Sequence, residues 1–121
     1  MTAPLVPPLY RWLVADAAVA NLVGVRVYPA GDAEPEVKPP YVTWQQVSGL
    51  PENYTDDDPD TKAFRIQVNC WGKESGDAVH LAELVDRALR PHGQKQLDLR
   101  DEKDPETGSF VFSMDWLFWL N

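Results

Sequence analysis

The stretch Thr61-Lys62-Ala63-Phe64-Arg65-Ile66-Gln67-Val68-Asn69-Cys70-Trp71 decides the fold. Phe64, Ile66, Val68 and Cys70 fall on one side of it, and Arg65, Gln67, Asn69 and Trp71 on the other. Successive side chains of a strand point to opposite faces, so this period of two predicts a β-strand with one face in a core. Residues 41–48 alternate in the same way, Val42, Trp44 and Gln46 against Tyr41, Thr43, Gln45 and Val47. Between the two runs, residues 49–60 hold Pro51, Pro59 and five acids, which predicts a hairpin with a long charged tip. Residues 109–120 form a third long strand. Phe110, Phe112, Met114, Trp116, Phe118 and Leu120 share its more apolar face.

Helices fill in around these strands. In residues 4–23, Leu5, Leu9, Trp12 and Leu13 recur at helical spacing, and Pro7 and Pro8 suit only a first turn. Asp16 before Ala17-Ala18-Val19-Ala20 is placed to cap a second short helix, and Gly24 supplies a left-handed exit. Residues 25–28 read as a short strand stopped by Pro29, and the proline-rich residues 30–40 as a loop or extended arm. Ser75 is a candidate cap for a helix whose stripe is Ala78, Leu81, Ala82, Val85, Ala88 and Leu89. That helix should end before Pro91 and Gly93. Residues 94–100 follow as a strand with Leu97 and Leu99 on one face, then an acidic turn at 101–108. The order α-β-β-β-α-β-β predicts a single α+β domain over residues 1–121: two helices on a mostly antiparallel sheet of about four to five strands.

Composition excludes some functions. The chain has 121 residues, 44% hydrophobic and 25% charged, in keeping with a folded domain. Its formal charge of −8 argues against a surface built to neutralise nucleic-acid phosphates. Cys70 is the only cysteine, so no intrachain disulfide can form, and synthesis in a reducing cytoplasm is expected. Neither a signal peptide nor a membrane segment is legible: residues 110–120 are too short to span and contain Asp115.

Catalytic motifs are sparse. Asp56, Asp58 and Asp60 have the first spacings of a calcium loop, but Thr61 and Gln67 stand where its glycine and glutamate belong. A solvated hairpin tip explains the acids better. His80 and His92 are the only histidines, and a metal site from Cys70, His80 and an acid lacks matched further ligands. Gly72-Lys73-Glu74-Ser75-Gly76 misplaces its serine for a nucleophile elbow and reads as a strand-to-helix turn. The sequence therefore predicts no catalytic residues, no metal and no cofactor.

The five tryptophans point elsewhere. Trp12 and Trp44 are expected in the core. Trp71 and Trp119 fall on strand faces opposite the most apolar sets, and Val111 and Leu117 make that second face of the last strand apolar as well. Either the fold covers both faces or another chain does. Aromatic-rich patches mark interfaces, which favours a partner.

The chain resembles the small tail-completion proteins, or tail terminators, of long-tailed bacteriophages. The resemblance lies in Asp16-Ala17-Ala18-Val19 with Leu22-Val23-Gly24-Val25-Arg26-Val27-Tyr28-Pro29 and in Lys38-Pro39-Pro40-Tyr41-Val42-Thr43-Trp44 with Val47-Ser48-Gly49. It continues in Phe64-Arg65-Ile66-Gln67-Val68-Asn69-Cys70-Trp71-Gly72 and the helix to Leu89, and so spans residues 5–93. It implies a non-enzymatic virion protein that assembles as a ring, commonly hexameric, on the head-proximal end of the tail tube. There it would stop tube polymerisation and form the surface that joins the head. The implied partners are further copies of itself, the tail-tube protein and a head-tail connector, with DNA passing through unbound and no membrane involved. Pro39, Pro40, Tyr54, Asp56, Asp57, Asp58, Trp71 and Trp119 are the candidate interface residues. Glu52, Asp56, Asp57, Asp58 and Asp60 are candidates for charge lining the channel. The competing readings are another joint component or tube subunit, an acidic binding module, and a metal-dependent hydrolase.

Overall fold

The structure, a computed structural model, describes residues 7–29, 37–47, 54–55, 58–105 and 107–120. Two short helices open it, α1 (Leu9–Val14) and α2 (Ala17–Val23), so the single N-terminal helix of the expected order is a pair. The break is local chemistry. Asp16 leaves helical conformation and its Oδ1 accepts the Val19 N–H at 3.1 Å, capping α2 as its sequence position suggested. Gly24 ends α2 at φ +60°, which residues with a side chain rarely adopt.

Six strands follow: β1 (Val27–Pro29), β2 (Tyr41–Gln46), β3 (Tyr54–Thr55), β4 (Asp58–Gly72), β5 (Gly93–Lys103) and β6 (Phe110–Leu120). Helix α3 (Ser75–Leu89) lies between β4 and β5. The sheet runs β1-β2-β4-β6-β5, with β3 paired to β4 off this path. Among the described residues, β1–β2 is the only parallel pair. The expected α+β fold with a mostly antiparallel sheet is thus what the chain adopts.

Four details differ from the sequence reading. The expected hairpin tip contains β3 and the start of β4, which pair across it. Strand β5 continues through the expected acidic turn to Lys103, because the eleven-residue β6 offers it a partner at Val111 and Phe110. Edge strands tolerate such polar residues. Strand β1 includes Pro29, which a strand end accepts. The cap of α3 is Glu74 instead of Ser75, and its N–H is bonded by the Asp77 carboxylate at 3.3 Å.

One core holds these elements together. Leu9, Leu13, Val19 and Val23 of the first helices and Leu81, Val85 and Leu89 of α3 cluster on Val42, Ile66, Val68, Met114, Trp116 and Phe118. Of the alternating sets read from the sequence, Phe64, Ile66, Val68 and Cys70 of β4 and Met114, Trp116 and Phe118 of β6 are buried, while Phe110 and Phe112 are half-buried. Trp12 and Trp44, expected in the core, pack against it but stay half-buried.

Candidate functional site

All three helices pack on the same side of the sheet. Among the described residues nothing covers the opposite face, so its composition is the place to look for function. The register sets out its rows. Ala63 pairs with Trp119, and Arg65 with Leu117, with Val47 hydrogen-bonded to Arg65 on one side and Gln94 paired to Leu117 on the other. Next come Gln45–Gln67–Asp115–Leu97, then Thr43–Asn69–Ser113, then Tyr41–Trp71–Val111–Glu102.

The central row is a bonded polar ladder. Asn69 donates to Thr43 Oγ1 at 3.3 Å, while its Oδ1 accepts Ser113 Oγ at 2.7 Å and Gln67 Nε2 at 3.0 Å. Trp71 Nε1 adds a 3.1 Å bond to the same threonine, and its ring stacks on Tyr41 at 5.5 Å. Burial, and then the nearby Asp104, raise the Tyr41 phenol above its ordinary range, so it stays neutral. The ladder pins three adjacent strands, which makes the face a rigid platform.

Its rim is apolar. Five large hydrophobic side chains are exposed among the described residues, and Val47, Leu97 and Trp119 on this face are three of them. Among the described side chains, β2, β4 and β6 place only Arg65 and Asp115 there as charged groups, and β5 adds Glu102. Aromatic enrichment with few charges is the composition of a buried interface centre.

Of the candidate interface residues, Trp71 and Trp119 lie on this face, Trp119 at its rim. Pro39 and Pro40 stand just before β2, half-buried, and the Pro40 carbonyl accepts Arg26 Nε at 3.0 Å. Tyr54 falls in β3, and Asp58 and Asp60 in β4. Glu52, Asp56 and Asp57 lie outside the described residues. Leu97 escaped the sequence reading: a register shift between Lys95 and Leu97 turns Leu97 to the open face while Lys95 takes the helix side. Val47 was legible, because it alternates in phase with Tyr41 and Thr43.

The chemical alternatives find no assembled site. Cys70 is fully buried and its thiol is pushed far up by desolvation. His80 is exposed on α3. No three or more His, Cys, Asp or Glu side chains gather as a metal would need, among the described residues. A groove beside α3 is lined by Ala82, Asp86, Lys95, Asp98 and Phe112. Three of its charges pair with one another, Asp86 accepting Lys95 Nζ at 2.7 Å and Lys95 reaching Asp98 at 3.1 Å, and Asp86 also accepts Arg90 Nε at 2.6 Å.

Solved structures of other proteins share the fold, among them two. One is titled the virion of a native gene transfer agent particle, at 17% identity and a TM-score of 0.58, covering 93% of this chain and 90% of that one. The other is the gp17 protein of bacteriophage SPP1, at 14% identity and a TM-score of 0.59, covering 93% and 86%. No curated protein matches in sequence. The family model described as tail completion protein gp17 matches residues 7–120. An open, aromatic-rimmed sheet face on a chain so matched along its length has a family to go with it, and the chain belongs to the tail completion protein gp17 family.

Proposed function

We propose that this protein caps the head-proximal end of a phage-type tail tube as a ring, hexameric as the resemblance implies. It ends tube polymerisation there and presents the surface that meets the head. Family membership supports a structural role in the tail. The observation that carries the finer reading is the uncovered sheet face: a rigid platform, apolar at the rim and poor in charge, which a lone chain would leave in water. The reading is of a non-enzymatic protein whose neighbours are copies of itself, the tube protein and a connector. The candidate interface residues Pro39, Pro40, Tyr54, Asp56, Asp57, Asp58, Trp71 and Trp119 belong to those contacts in this reading.

The test uses isolated tails that lack the protein. Tagged, gold-labelled protein is added and the tails are imaged by electron microscopy. Label at one end only, with normal tail length restored when the gene is supplied during assembly, supports the cap. Label along the tube means a tube subunit instead, and no label defeats the tail reading.

A further inference from the structure

We draw no further inference here: the strongest candidate, the open sheet face edged by Val47, Leu97 and Trp119, carries none beyond the reading above, because nothing in the structure shows what covers it.

Discussion

Asn69 sits at the middle of the open face and bonds to both neighbouring strands, to Thr43 of β2 and Ser113 of β6. It is nearly buried, so its three partners lose bonds that water does not readily replace. Asn69→Ala should cost about 1–3 kcal/mol, read as a lower urea midpoint with an unchanged slope. A loss below about 0.5 kcal/mol would mean the ladder is ornamental. Single residues were also where the sequence was most legible. Asp16 announced a cap because a carboxylate before an Ala-rich run has one obvious use, and Gly24 announced a helix exit. Ser75 misled, because Glu74 and Asp77 supply the same acceptors one position earlier and compete for the same free N–H groups.

At the scale of elements, β5 is tied down at two points, to β6 and to α3. Gly93 begins β5 so close to Phe118 that a Cβ would collide with that ring and approach the Leu117 carbonyl oxygen to 2.6 Å. Neither atom is the free end of a flexible chain, so Gly93→Ala should destabilise by about 1–3 kcal/mol in thermal melts. A neutral result would show that the α3–β5 turn shifts freely. The second tie is Asp86. Burial alone would raise its carboxyl, but the hydrogen bonds and charges of Arg90 and Lys95 outweigh burial and hold it below its ordinary value of 3.8. The unfolded chain therefore binds the proton first, and this contribution is present above pH 3.8 and lost as pH falls through the folded value. His92, stacked on Trp12 at 4.1 Å, is lowered by burial and then by Arg11. Its contribution is likewise lost as pH falls from 6.5. Melting temperature should decline in two steps on acidification, and Asp86→Ala should erase the lower one while costing about 1.5–3 kcal/mol at neutral pH. The long alternating strands were legible because period two survives in composition. The β5 bulge, the two-residue β3 and the parallel β1 were not, because pairing partners decide them.

For the molecule as a whole, the sequence shows an acidic chain of net charge −8. Glu52, Asp56, Asp57, Asp58 and Asp60 concentrate charge in one short stretch. Asp58 and Asp60 lie at the start of β4, beyond Lys62, where β4 begins to pair with β6. In the ring proposed above, the open face is buried and these acids line the channel. Such a channel repels DNA phosphates at short range and lets the duplex pass without sticking, an effect that fades beyond a Debye length of about 8 Å at physiological salt. Replacing Asp56, Asp57 and Asp58 with Asn should slow genome ejection or strand DNA in the channel. Ejection would be followed by dye release in virions carrying the variant, at low and high salt. A defect that is largest at low salt is the expected signature, because screening removes repulsion in the parent as well. Ejection unchanged at both salt levels would place these acids outside the channel and leave them a role only at a neighbour's surface.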